Sequence, residues 1–195
     1  MAGAMALPLA STPLSPDSRA ARCFLLLALL MSTGVASADH PPTAGAVLPP
    51  VRVEPVDGAA RTLPDPHKAV LVVYEDRDAG PQNAHVKPLL DRVARAHNRD
   101  KVEVVPVGDV SAFDFWPAKR FVRDHIRKQQ HRDGTTIWLD WKGAVQQHWR
   151  LTKGKSGILL VDLSGAARFV GEGPLSKAQI AQLEARLVEL GCDLH

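Results

Sequence analysis

The chain has 195 residues, 45% of them apolar, a formal net charge of +3 and only two cysteines. That apolar content is too high for a disordered chain, and so small a net charge makes no case for a nucleic-acid partner. Two cysteines 169 positions apart in sequence exclude a disulfide-stapled scaffold and a CxxC dithiol, so stability has to come from packing.

Residues 1–38 are expected to be a signal peptide. A weakly basic stretch ends with Arg19 and Arg22, an apolar core runs from Cys23 to Met31, and Ala36-Ser37-Ala38 supplies the small residues a signal peptidase reads. The apolar core falls far short of the roughly 20 residues that span a bilayer, so no stable membrane span is expected after cleavage. Residues 39–50 carry four prolines and are expected to form a flexible, extended leader. The folded domain is then residues 51–195.

The domain opens with Val51-Arg52-Val53-Glu54-Pro55-Val56, which alternates as an edge strand does, followed by the hairpin turn signal Asp57-Gly58. Ala69 to Tyr74 is an unbroken apolar run and predicts a strand buried on both faces. A helix is expected from about Gln82 to His97, with Val86, Leu90 and Val93 inward and Pro88 kinking its interior. Val102 to Val107 predicts the next strand. Pro117 suits the first turn of a helix whose apolar positions are Ala118, Phe121, Val122 and Ile126, stopped by Asp133-Gly134. Its basic residues Arg120, Arg123, Arg127 and Lys128, interrupted by Asp124, read as a solvated face.

Thr135 to Leu139 is β-branched and aromatic and predicts a strand, whereas 143–151 fits helix and strand equally. Ile158 to Asp162, the turn Ser164-Gly165 and Ala166 to Val170 predict a β-hairpin. In the last helix Ser176 and Gln179 have capping-box spacing, Ile180, Leu183, Leu187 and Leu190 share one face, and Gly191 ends it.

The order β-β-α-β-α-β-(x)-β-β-α, with a Gly-Pro turn after the first core strand, resembles the thioredoxin fold over residues 69–191. That resemblance implies an α/β domain, a mixed central β-sheet flanked by helices in three α/β/α layers. It also points to the turn as the place to look for chemistry. With Gly80-Pro81 matched to the redox motif, Ala79 and Gln82 stand where cysteines would be. With Pro88 matched to the helix proline, Gly80 and Asn83 do. Neither register supplies a thiol, and Ser156-Gly157 stands where the family has a cis-proline. A narrower resemblance joins Phe121-Val122-Arg123, Thr136 to Val145, Trp149-Arg150-Leu151, Ser156 to Asp162 and Gly173 to Ser176. These segments look like the YtfJ-like family of exported bacterial proteins, which implies a periplasmic or secreted location and leaves the biochemical role unassigned.

The expected site is therefore a binding surface rather than a catalytic centre: Glu75, Asp76, Asp78, Ala79, Gly80, Pro81 and Gln82 at the turn, with Ser156 and Gly157 beside them. Carboxyl ends of strands are where α/β sheets bind ligands. No catalytic residue, cofactor or metal site is expected, because no histidine or carboxylate spacing fits a metal and Ser156 has no recognisable base. Cys192, just beyond a helix C-terminus, sits where the dipole raises a thiol pKa. Tryptophans line cores by default, and an exposed pair, Trp141 and Trp149, is the alternative partner surface. The chain reads as an exported, monomeric, redox-inactive module for a protein partner. The rival is a divergent thiol oxidoreductase or peroxiredoxin-like enzyme of the cell envelope.

Overall fold

The computed structural model describes residues 40–195; the expected signal peptide lies outside the described residues. The domain is built on a mixed seven-stranded sheet. Its strands are β1 (Val51–Pro55), β2 (Arg61–Leu63), β3 (Ala69–Glu75), β4 (Val102–Asp109), β5 (Trp138–Asp140), β6 (Gly157–Val161) and β7 (Ala167–Glu172). The spatial order is β2-β1-β5-β4-β3-β6-β7, with β3, β4 and β5 parallel and the outer pairs antiparallel. Four α-helices pack on it: α1 (Lys87–Val93), α2 (Ala118–Asp133), α3 (Ala144–Trp149) and α4 (Lys177–Glu189).

The period-2 alternation of β3 divides the core. Val70, Val72 and Tyr74 face a cluster with Val105, Trp149, Leu151 and Leu159 under α3. Ala69 and Leu71 face the opposite cluster, where Leu89 and Val93 of α1 meet Leu183 and Leu187 of α4. The α/β/α layering expected from the sequence is therefore present. The capping box forms, with the Gln179 N–H donating to Ser176 Oγ and the Ser176 N–H donating to Gln179 Oε1. Gly134 ends α2 at φ +67°, a conformation that costs any residue with a Cβ.

Several expectations are corrected. β1 is not an edge strand: its hairpin partner β2 takes the edge, and β1 pairs with β5 on its other side. The helix expected from 82 to 97 is broken. Gly80–Val86 is a 3-10 segment interrupted at Asn83 (φ −114°, ψ 25°), and α1 starts only at Lys87. Pro88 therefore lies in the first helical turn, where its missing N–H breaks no bond, and no interior kink exists. The strand expected at 135–139 begins only at Trp138, and 143–151 resolves as α3.

The leader is not free in its second half. The Gly45 N–H donates to Ala167 O, the Leu48 N–H to Gly165 O, the Ala167 N–H donates back to Ala46 O, and Leu48 is buried in the core, so backbone bonds to the start of β7 and the turn before it, with an apolar side chain, anchor the chain. Phe121, expected to face the core, is 69% exposed, and no residue of α2 is fully buried. Trp141 and Trp149 are buried, not an exposed pair. Trp149 Nε1 donates to Pro49 O, and Trp141 lies under Lys119 and Arg123, whose charged ends stack on its ring at 4.4 and 5.6 Å.

Candidate functional site

The strand β3 delivers Glu75 to the carboxyl end of the sheet, and the chain turns there through Asp76–Ala79. Asp76 builds the turn: its Oδ1 accepts the N–H groups of Asp78 (3.0 Å) and Ala79 (2.8 Å). Asp76 is thus committed to backbone bonds, Ala79 is wholly buried, and of the expected site residues in the turn Asp78 and Pro81 project into solvent, with Arg77 exposed beside them. The turn presents backbone and proline where a dithiol would present sulfur.

Behind the turn, three side chains lock it to two distant loops. Gln82 donates from Nε2 to Gly154 O (2.8 Å) and accepts the Ser156 N–H at Oε1 (3.1 Å). Asn83, buried, donates to Gly173 O and accepts the Leu175 N–H, both at 2.9 Å. His85 Nε2 lies 2.9 Å from Leu175 O. Ser156, also buried, donates from Oγ to Glu75 (3.1 Å). The expected residues Glu75, Gln82 and Ser156 are therefore brought into direct contact. Gly157 is not part of a surface: it sits in β6, paired with Tyr74 and Glu172, and a Cβ there would come within 3.3 Å of Leu151. Asn83 was missed as a site-building residue, although its polarity among apolar helix positions was the signal.

Burial pushes the Glu75 carboxyl up from its ordinary range; the Ser156 hydroxyl opposes this and the neighbouring Asp76 charge adds to it. No cationic side chain pairs with Glu75 among the described residues. The carboxylate borders a cleft of about 900 Å³ that opens between α1 and α2 over β4. Val104 and Pro106 form its floor, Leu90 one wall, and Phe121, Val122 and Ile126 the other. The cleft exists because α2 lies away from α1, leaving the face of a central strand half covered. Of the expected site residues, Glu75, Asp76 and Gly80 line it.

Two further carboxylates missed in the sequence lie side by side at the ends of β4 and β5, where Asp109 pairs in register with Asp140. Asp109 accepts from Tyr74 Oη (2.8 Å) and from the Ser111 N–H, and burial with this bond pushes the Tyr74 phenol up. Burial also raises the Asp140 carboxyl, against the N–H groups of Val145 and Ala144 that it accepts at the start of α3. Both acids are committed to structural bonds. Among the described residues, no group of three His, Cys, Asp or Glu side chains is placed to hold a metal ion, and no helix is long and apolar enough to cross a membrane.

Cys192 is buried beside α4, and burial raises its thiol pKa, with Lys101 opposing weakly. Lys101 immediately precedes β4, so Cys192 lies a strand's length, about 20 Å, from the turn.

Solved structures share the fold over about three quarters of the chain. A protein described as thiol:disulfide interchange protein DsbE from Chlorobium tepidum superposes with a TM-score of 0.56 at 15% identity, over 76% of this chain and 97% of its own. A thiol peroxidase from Chromobacterium violaceum gives 0.54 at 12% identity, over 77% and 88%. The pneumococcal exposed lipoprotein thioredoxin Etrx1 from Streptococcus pneumoniae gives 0.52 at 15%, over 72% and 99%. Superpositions at such low identity show the fold alone, and that fold is thioredoxin-like. No curated protein matches the chain. Residues 86–189, more than half of it, match the family described as bacterial protein of unknown function (YtfJ_HI0045), and the chain belongs to that family.

Proposed function

We propose that the chain is an exported, redox-inactive thioredoxin-like protein that works by binding, with its ligand site in the cleft bordered by Glu75, Asp76 and Gly80. The observation that carries this reading is the cleft itself. It has apolar walls, it abuts the turn, and its volume lies in the range of small-molecule sites, roughly 300–1,000 Å³. The turn beside it is held rigid by Gln82, Asn83 and Ser156, and a pre-formed frame lowers the entropy lost on binding.

One fact of the sequence and one of the structure support the redox-inactive part. The turn Ala79-Gly80-Pro81-Gln82 holds no thiol, and Cys192 is buried far from it. A thiol of raised pKa is a poor nucleophile, and disulfide exchange through a resolving cysteine needs a second thiol. Export rests on residues 1–38, with a periplasmic or secreted monomer as the mature form.

The tests are direct. The protein should show no insulin reduction and no thiol-dependent peroxide turnover, and mature material should begin at or near Asp39 by N-terminal sequencing. Narrowing the cleft with Val104→Phe should abolish ligand-induced thermal shifts seen with the unmodified protein. Turnover at the level of a dithiol oxidoreductase would refute the reading.

A further inference from the structure

The cleft is chemically one-sided in its depth, and this identifies what it takes. Its floor and walls are aliphatic and aromatic, from Val104, Pro106, Leu90, Phe121 and Ile126. Three half-buried carboxylates without a cationic partner line it, Glu75, Asp76 and Asp109; Asp76 already accepts two N–H groups of its own turn, and Asp109 accepts the Tyr74 hydroxyl and the Ser111 N–H, which leaves Glu75 the least satisfied. Glu75 receives a single hydrogen bond, from Ser156 Oγ, and among the described residues nothing donates to its second carboxylate oxygen. The backbone at Gly80 leaves that oxygen open, for even an added Cβ there would lie 3.8 Å from it, an ordinary contact. Burial opposes the ionisation of Glu75 most, the Ser156 hydroxyl favours it, and the Asp76 charge alongside opposes it again. The lining cations Arg77 and Lys87 are exposed, at the rim.

A carboxylate removed from water without a partner is costly, and an arriving cation removes that cost. An apolar floor on a central strand, half covered by its helices, likewise lacks the contacts that would exclude water. We infer that the cleft binds a small amphipathic amine, with its ammonium group on Glu75 and its apolar body along Val104, Pro106 and Phe121. The inference rests on the cleft being the ligand site, as proposed above, and adds the ligand's class. An aliphatic carboxylate is disfavoured because its charge would meet Glu75 and Asp76.

Calorimetric titration at pH 7.5 with n-butylamine, n-hexylamine and n-octylamine tests this, with n-octanol and octanoate as controls. Each added methylene should tighten binding about fourfold. Octylamine should bind at least about tenfold more tightly than octanol, and octanoate more weakly than both. Glu75→Gln, which still accepts from Ser156, should erase the preference for amine over alcohol while keeping the dependence on chain length. Val104→Phe should weaken every alkyl probe.

If amine and alcohol bind the unmodified protein alike, or if Glu75→Gln keeps the amine preference, the ligand class is overturned and the cleft stands as the site. If no alkyl probe binds, or if Val104→Phe leaves binding intact, the ligand class and the cleft reading both fall.

Discussion

Asn83 is the residue whose loss most directly tests how the site is built. Its amide makes both of its bonds to backbone in the loop between β7 and α4: Nδ2 to Gly173 O and the Leu175 N–H to Oδ1, each at 2.9 Å. Asn83 is 5% exposed and Leu175 4%, so water has little access to either backbone group. Asn83→Ala leaves one buried donor and one buried acceptor unpaired, each costing about 1–3 kcal/mol. Taking the lower half of that range, because the loop can relax outward, gives about 3 kcal/mol in all. For a domain of this size that corresponds to a fall in Tm of about 6–12 °C. A cavity left by truncation would contribute in the same direction, so Asn83→Leu is the necessary companion: it fills the volume and removes both bonds. Thermal melts followed by circular dichroism should show both variants losing stability by similar amounts. Amide exchange at Leu175 should accelerate in both. An Asn83→Leu protein melting within about 2 °C of the original, with Leu175 still protected, would refute the claim that these bonds hold the turn.

Other outcomes follow from the electrostatics. Burial raises the Glu75 carboxyl, so any stability gained from its protonation is present at low pH and lost as pH rises through its folded value. Glu75→Gln should therefore raise Tm at pH 7.5 and leave it nearly unchanged at pH 4; a lower Tm at pH 7.5 would contradict this. For Asp162 burial acts upward, but the Ser164 hydroxyl and the Arg168 guanidinium outweigh it and hold the carboxyl below 3.8. Its contribution is complete above the unfolded value and disappears as pH falls below it, so Asp162→Asn should destabilise at pH 7 and cost progressively less in acid, read from melts across pH 2–7. Cys192 should react with Ellman's reagent about an order of magnitude more slowly in the folded protein than in denaturant, since it is buried and its thiol pKa is raised. Equal rates would place it at the surface.

The parts of the fold visible in the sequence are those fixed by local chemistry. The capping box at Ser176 and Gln179, the glycine stop at Gly134 and the apolar run of β3 each need only neighbours in the chain. What was misread depended on tertiary context. Pro88 looked like a kink because sequence alone does not say where α1 starts; the break at Asn83, made by bonds to residues some 90 positions away, moves that start to Lys87. Trp141 and Phe121 exchanged roles for a similar reason. Lys119 and Arg123 cover Trp141 with their stems, while α2 lies off α1 and leaves Phe121 on the rim of a cleft. The acidic end of β3 is legible in the sequence as a candidate site, but the three acids are not equivalent. Asp76 shapes the turn and Asp78 is solvated, whereas Glu75 is half buried with one bond and no counter-charge. Side-chain bonds hold the turn to two distant loops while the carboxylate at its base is left short of partners. Glutamine in its place would accept the Ser156 hydrogen bond equally well and carry no charge to desolvate. A destabilising charge inside a rigid frame therefore favours the proposed binding role over a purely structural one.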